Sequence, residues 1–599
     1  MRPKVHFLLD HLRLRLAKPD ALIPMAVLGL LAGIFASALV TAFRLALESL
    51  QIYFLGLPAP GEYAALPLIW RFLLPTIGGI TLGLIVHRLP IGIRNVGVGH
   101  VIIRFHRFEA DLPWRNAAVM FFSGVYALLV GLSSGREGPG IHLGAFGGSL
   151  LGRKLDLPHN SVRTLVGCGA AAAIAASFNT PLAAVIFALE LIVRQYTLAT
   201  FIPIMLASSA GALFSTVFFG HNPAFNIQLL HNLALWEVPI LIVLGLLIGS
   251  FSAAFIQITE TAIHRTWHWP VWLRFGVIGV LTGLIGLGLP QVMGISYSPI
   301  DLAASAKLAL GLLVLLAMAK LILSALTFGF GLPLGPIGSS LVVGGFTGSA
   351  VGTLLLNYTQ IPLSDVAFYT VLGMGAMMGA TLQAPLAALT AVIELTGDTG
   401  AIMPAMLTII IASLTSRSLF HKEGIYDTVL RANAHQMQGL SLWHNANDVG
   451  ISSLIDRNFA EIAQQCTWDE LTAAIVDTPT WLIVRDEARK PMGVLPLATV
   501  QKLLTQQMQN DANTQGEDTA DTLNTAPMTG SEPIDLPSVL TLTPVEAVDL
   551  GLTLNEAREL MRSKQVDVLI GQRITVPPFK RTYGVLTRAD LEEYTRNAA

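Results

Sequence analysis

Long apolar runs fill the first two-thirds of the chain and limit the folds open to it. Ala21 to Val40, Leu66 to Val86, Leu235 to Phe255, Phe275 to Leu289 and Leu308 to Leu326 approach or reach the roughly 20 residues that an α-helix needs to cross about 30 Å of hydrocarbon. With 53% hydrophobic residues, 13% charged residues and a mean hydropathy of +0.61 over 599 residues, a soluble protein is excluded and a polytopic membrane domain is expected. Several runs are short or broken by Gly and Pro, which suits close helix packing and discontinuous helices around a protected cavity.

The net charge of -2 is unevenly spread. Residues 441–599 carry 13 Lys and Arg against 22 Asp and Glu, leaving 24 basic and 17 acidic residues for the remainder. Arg2, Lys4, Arg13, Arg15 and Lys18 precede the first apolar run, so the positive-inside rule puts the N-terminus in the cytoplasm. That run is long and lacks a small-residue cleavage site, so it does not read as a removable signal. Cys168 and Cys466 suggest neither a disulfide framework nor a metal cluster.

Near residue 420 continuous apolar pattern gives way to mixed alternation. WLIVRD (481 to 486) and VDVLIG (566 to 571) read as strands, and ELTAAIV and LNEARELMRS as amphipathic helices. The expected organisation is a basic segment at 1–20, a membrane domain at 21–435, and small α/β units at 448–507 and 535–597. A flexible acidic linker at 508–534 joins the two units.

The membrane part repeats internally. GREGPGIHLGAFGGSLLG (135 to 152) lies on GPIGSSLVVGGFTGSAVG (335 to 352), and GAAAAIAASFNTPLAAVIFALEL (169 to 191) on GMGAMMGATLQAPLAALTAVIEL (373 to 395). Two blocks in the same order argue for duplication, and transporters built from repeats place substrate between the halves near the bilayer midplane.

GREGP at 135–139 is the most informative short stretch. Glu137, flanked by Gly135, Gly138 and Pro139 at the start of an apolar helix, is costly in a membrane and should face a polar cavity. The following helix points its positive end at the same place, so the position attracts anions. A tethered carboxylate can occupy it and leave when protonated or displaced. An isolated GREG would read as a helix cap, but GVG at 97–99 and GPIGS at 335–339 are further Gly-containing loops followed by apolar stretches.

On these residues the chain resembles the CLC family of chloride channels and chloride/proton antiporters, over about residues 25–435, with a CBS-like pair behind. The resemblance implies an all-α polytopic membrane domain with an internal inverted repeat, followed by a cytoplasmic α/β CBS pair. It also implies a homodimer with one path per subunit for chloride or similar small anions, multi-pass in the cytoplasmic (inner) membrane with both termini cytoplasmic. It implies no enzyme activity, no metal and no required cofactor, and nothing points to nucleic acid. Glu137 matches the gating glutamate, with Arg136, Gly138 and Pro139 beside it in the motif. Gly335, Pro336, Ile337 and Gly338, with Ser339, match a loop whose amides bind the anion; Gly97, Val98 and Gly99 match the inner anion loop, and Tyr426 the tyrosine whose hydroxyl contacts the inner anion.

Four positions depart from the family pattern. Val98 stands where many chloride-selective members have Ser, Ile337 and Ser339 replace Phe and Pro, and Leu191 replaces a second, inward-facing glutamate. Glu190, next to Leu191, is the candidate proton carrier, although its repeat partner Glu394 favours a hydrogen-bonded structural role for both. In the tail, Thr587 and Asp590 of GVLTRAD keep the spacing with which CBS domains hold an adenine nucleotide, while GVLPLAT (493 to 499) is degenerate; nucleotide sensing and a purely structural module are both open. Proton-coupled exchange is the expected mode, a passive gated channel the alternative. A membrane enzyme with Glu137 or Glu190 as general base has no second catalytic group, and a sensor with a mere membrane anchor does not explain the repeats.

Overall fold

The computed structural model describes residues 22–108, 110–157, 159–220, 237–358, 364–434, 451, 454–514, 533–549, 552, 554–576 and 579–597. The basic N-terminal residues from Arg2 to Lys18 and the linker stretch 515–532 lie outside them. The chain divides into two compact units, Met1–Asn433 and Ala434–Ala599.

Among the described residues, every named element of the first unit is a helix. Its first half contains α1 (Leu22–Ser49), α2 (Leu68–Arg88), α3 (Ile91–Arg94), α4 (Val98–Arg107), α5 (Trp114–Leu129), α6 (Glu137–Lys154), α7 (His159–Phe178), α8 (Pro181–Phe187) and α9 (Leu198–Phe219). The second half contains α10 (Val238–Thr266), α11 (Val271–Gly288), α12 (Ser298–Ala304), α13 (Leu310–Gly329), α14 (Ile337–Tyr358), α15 (Val366–Leu382), α16 (Pro385–Thr396), α17 (Ile402–Leu414) and α18 (Ile425–Ala434). Nine helices among the described residues are long and apolar enough to span a bilayer. The protein is a multi-pass membrane protein.

The sequence repeat is a structural one. In α6, a Cβ on Gly144 or Gly148 would fall 2.3 Å from Gly169 O or 2.0 Å from Leu165 O of α7. In α14, a Cβ on the matching Gly344 or Gly348 would fall 2.1 Å from Gly373 O or 2.0 Å from Tyr369 O of α15. Only glycine lets these backbones touch, and the same two positions do so in both halves. Gly135 and Gly335, also equivalent, form an antiparallel bridge: each N–H donates to the other's carbonyl, at 2.9 and 3.1 Å. Antiparallel pairing of equivalent residues places a local two-fold axis between them, so the second copy is inverted relative to the first.

A second reciprocal contact ties the halves together. Leu182 and Ala183 at the start of α8 donate their N–H groups to Glu394, both at 2.8 Å. Leu386 and Ala387 at the start of α16 donate to Glu190, at 3.4 and 2.8 Å. Each half thus supplies a carboxylate that satisfies the orphan amides of the other half's Pro-Leu-Ala helix, where lipid offers no substitute acceptor.

The second unit contains β1 (Phe459–Ala463), β2 (Gln465–Thr467), α19 (Trp468–Ala474), β3 (Trp481–Arg485), β4 (Pro491–Pro496), α20 (Leu497–Thr514), β5 (Pro533–Asp535), α21 (Leu536–Val539), β6 (Thr543–Asp549), α22 (Leu554–Lys564), β7 (Val568–Val576), β8 (Phe579–Thr587) and α23 (Arg588–Asn597). Both expected strands and both expected amphipathic helices are present. Each α/β half has a buried core of its own, and the two are joined through their strands. They share one six-stranded sheet of order β1-β3-β4-β6-β7-β8, joined by antiparallel pairing of Gly493 and Val494 with Pro544 and Thr543. Each half is a parallel pair plus an antiparallel strand, and Ile483, Val494, Val568, Ile570 and Val585 bury a core common to both. Two boundaries move accordingly: α20 runs through 507 to Thr514, and β5 begins at Pro533 to pair with β2 of the first half. Alternation marks a strand but not its cross-module partner, which is why the sequence suggested two units. Cys168 and Cys466 are buried and free, and burial pushes the Cys466 thiol up to about 11.

Replacing Glu190 or Glu394 by Ala leaves two helix-end amides without their acceptor and should destabilise the membrane unit by about 1–2 kcal/mol. Thermal unfolding in detergent should show a lowered midpoint for each variant and a smaller loss for Gln, which keeps one acceptor oxygen. Unchanged midpoints for both Ala variants would show that the caps contribute nothing.

Candidate functional site

The Gly135–Gly335 bridge brings the amino ends of α6 and α14 together, and the carboxylate of Glu137, the first residue of α6, lies between them. The residue is 1% exposed. The Gly338 amide, in the first turn of α14, donates to one carboxylate oxygen at 3.0 Å, and the Tyr297 hydroxyl donates to the other in a short bond. A Cβ on Gly338 would sit 2.7 and 2.9 Å from the two carboxylate oxygens, and one on Gly138 2.8 Å from Gly335 Cα. Glycine is required at both places so that backbone can approach the charge. The carboxylate therefore occupies the spot where a helix end attracts an anion. Pro139 fits the first turn of α6, where no intrahelical amide bond is lost.

On one side of Glu137 lies a cavity of about 330 Å³ at the carboxyl ends of α1, α7 and α9, lined by Arg44, Glu48, Arg136 and Tyr297 among others. Arg136, the residue before α6, turns toward this cavity. It donates to Ser177 O at 3.2 Å, lies 3.5 Å from Glu48, and stands over the Tyr297 ring at 5.6 Å. Arg44 pairs with Glu48 at 2.6 Å. Arg136 thus lines the cavity beside Glu137 and makes no hydrogen bond to its carboxylate among the described residues.

Two buried hydroxyls, on α18 and in the first turn of α14, have no hydrogen-bond partner among the described residues. Tyr426 is 2% exposed, its ring is set edge-on to Phe328 at 6.0 Å, and its hydroxyl makes no hydrogen bond; the Ser339 hydroxyl in the first turn of α14 is likewise buried and unbonded. Buried donors left unpaired are costly and fit a site that an anion completes. Glu137 lies within electrostatic reach of Tyr426 and Lys320. Ile337 is 2% exposed and packs toward Phe178, Phe187 and Leu341, so it contributes an apolar wall. The Pro336 carbonyl accepts the Ser340 amide at 2.9 Å and continues the helix.

The Gly97–Gly99 loop opens α4, and position 99 lies against Leu430 of α18, the helix that carries Tyr426. Gly97 holds a φ of +94°, natural only to glycine. Both its amide and its carbonyl face His142 Nδ1, at 3.1 and 3.2 Å. The amides of Val98 and Gly99 lie in the first turn of α4, where no intrahelical acceptor is available to them. Val98 is 3% exposed and supplies no hydroxyl.

Glu190 does not join Glu137. It caps α16, and Leu191 beside it is buried and apolar. Thr587 and Asp590 bond each other at the β8 to α23 elbow, the Thr hydroxyl and amide donating to the carboxylate at 2.6 and 3.0 Å. Sequence reasoning missed Tyr297 and Lys320. Tyr297 carried no signal, lying 160 residues from its partner. Lys320 did carry one, a lone lysine inside the apolar run Leu308 to Leu326.

An inverted pair of helical repeats, opposed helix ends and a carboxylate between them define a membrane transport protein of the ion-conducting class. A family profile described as "Voltage gated chloride channel" matches residues 78–417. A ClcB-like chloride channel protein of Ralstonia nicotianae is 30% identical over 408 residues, 66% of this chain and 94% of that one. The chain belongs to the voltage-gated chloride channel (CLC) family. The H(+)/Cl(-) exchange transporter ClcA of Klebsiella pneumoniae is 29% identical over 331 residues, 53% of this chain and 69% of that one. In fold it resembles a slow cyanobacterial Cl-/H+ antiporter (TM-score 0.59, 22% identity, 70% of this chain and 99% of that one). It also resembles a eukaryotic CLC transporter (TM-score 0.58, 16% identity), over 94% of this chain and 97% of that one.

With an apolar Val98, an anion at this loop would meet amides and no side-chain hydroxyl, so preference among chloride, bromide and nitrate should be shallow. Val98→Ser should sharpen it toward chloride in competition flux assays. Unchanged competition would place Val98 off the path.

Proposed function

We propose that the protein exchanges chloride, or a similar small inorganic anion, for protons across the cytoplasmic membrane, with Glu137 as its gate. The observation that carries this reading is the Glu137 carboxylate seated on the amino end of α14. An ionised carboxylate there is a tethered anion that a free one must replace, and protonation frees it to leave. Anions would pass from the Arg136-lined cavity, past Glu137, to the Ser339 and Tyr426 hydroxyls and the start of α4. The exchange transporters among its relatives favour coupling. Leu191 favours a second reading, a passive gated channel, because a buried leucine cannot carry a proton.

The working form would be a homodimer with both termini cytoplasmic. Glu190 and Glu394 are half-buried at helix ends flanked by Leu182 and Leu386, 43% and 53% exposed, and a second copy covering that face would keep these carboxylates out of lipid. The second unit would be a CBS pair, with an adenine nucleotide at Thr587 and Asp590.

Glu137→Gln removes the charge at nearly constant shape, so in proteoliposomes it should transport anions with no dependence on pH. Wild-type pH dependence in that variant would reduce Glu137 to a helix cap. For the second unit, titrating the purified protein with ATP, ADP and AMP should give saturable heat that Asp590→Ala weakens. No heat at millimolar nucleotide would leave Thr587 and Asp590 as a structural elbow.

A further inference from the structure

The loop between α11 and α12 is built more rigidly than a connection needs to be. Ser296 holds a φ of +67°, unfavourable for a residue with a Cβ, and Gly294 a φ of +60°. Lys320, buried in the middle of α13, directs its hydrogen bonds to this loop: Nζ donates to Val292 O at 3.2 Å, Gly294 O at 2.7 Å and Ser296 Oγ at 2.9 Å. Among the described residues no carboxylate forms an ion pair with it. The Gly294 amide is tied in turn to Gly131 O at 2.9 Å, and position 294 lies against the buried ring of Tyr63. A lysine buried in the membrane unit is thus committed to fixing the backbone of residues 292–296.

What the loop presents is Tyr297. Its hydroxyl donates to Glu137, its ring leans on Phe178 at 6.2 Å and lies beneath the Arg136 guanidinium, and it forms part of the wall of the 330 Å³ cavity. A Glu137 side chain swinging out toward that cavity must first give up this bond and pass this ring.

We propose that Tyr297 is a latch on the gate: a positioning residue, pinned by Lys320 through the 292–296 loop, whose hydroxyl holds Glu137 on the amino end of α14 and so sets the rate and the pH at which the path opens. This rests on the reading of Glu137 as the gate. The ionised carboxylate receives two donors, Tyr297 and Gly338. The remaining charged or titratable groups around the site are Lys320 on α13, Tyr426 on α18, Arg136 beside it, Arg44 and Glu48 on α1, and the stacked imidazoles of His142 and His100 on the side of α4. Among the described residues none of these is hydrogen-bonded to the carboxylate, which is held by the Tyr297 hydroxyl and the Gly338 amide.

Tyr297→Phe removes one oxygen and keeps the ring, the cavity wall and the loop. Losing a hydrogen bond to a charged group should raise the anion turnover of proteoliposomes at neutral pH about tenfold. It should also move the pH of half-maximal transport upward by about one unit, because protonation competes against one donor fewer. In the background of Glu137→Gln, where there is no carboxylate to latch, Tyr297→Phe should change neither. An unaltered rate and pH profile in the single variant would overturn the latch while leaving Glu137 as the gate, provided Glu137→Gln itself loses pH dependence. An equal acceleration in both backgrounds would overturn it too, showing that Tyr297 acts on the path and not through Glu137.

Discussion

A carboxylate buried in the middle of a membrane protein needs compensation that lipid cannot give, and the membrane unit is organised around supplying it to Glu137. Two helix amino ends meet at the Gly135–Gly335 bridge, and the dipole and free amides of α14 face the charge. This is possible because the two halves are inverted copies. A single discontinuous helix would present one positive end; the two-fold arrangement brings a second to the same point from the opposite half. The glycines at 135, 138 and 338 follow from it, since any side chain there would occupy the space of the carboxylate or of the opposing backbone.

The same symmetry serves stability and function by different means. At α8 and α16 it produces a mutual cap, in which Glu190 and Glu394 satisfy amides across the repeat. At α6 and α14 it is broken: the first copy carries Glu137, and in the second Pro336 and Ile337 follow the equivalent glycine. Duplication supplies two helix ends, and the difference between the copies puts a carboxylate on one of them and its seat on the other.

The fold and the centre of the site were legible because they rest on local signals. Apolar length gave the spans, matched glycines gave the repeat, and a glutamate between glycines in an apolar setting marked the carboxylate that sits at the meeting of two helix ends. Glu190 was readable as structural from its repeat partner, although the cap it forms on α16 depends on contacts nearly 200 residues apart. Tyr297 was not readable, because its role depends on a loop shaped by a lysine on another helix. The tail shows the same limit: strands 481–485 and 568–576 were visible from alternation, but their union in one sheet depends on pairing between β4 and β6 that no local pattern encodes.

The central claim is that anions and protons exchange through a path gated by Glu137. The direct measurement imposes a chloride gradient on proteoliposomes at equal pH and zero clamped voltage, with no other proton pathway, while both ions are followed. The account predicts protein-dependent proton movement that builds a pH gradient opposite to the chloride flow, and its loss in Glu137→Gln while chloride still passes. Rapid chloride flux with no proton movement in the unaltered protein would contradict it and establish a passive channel.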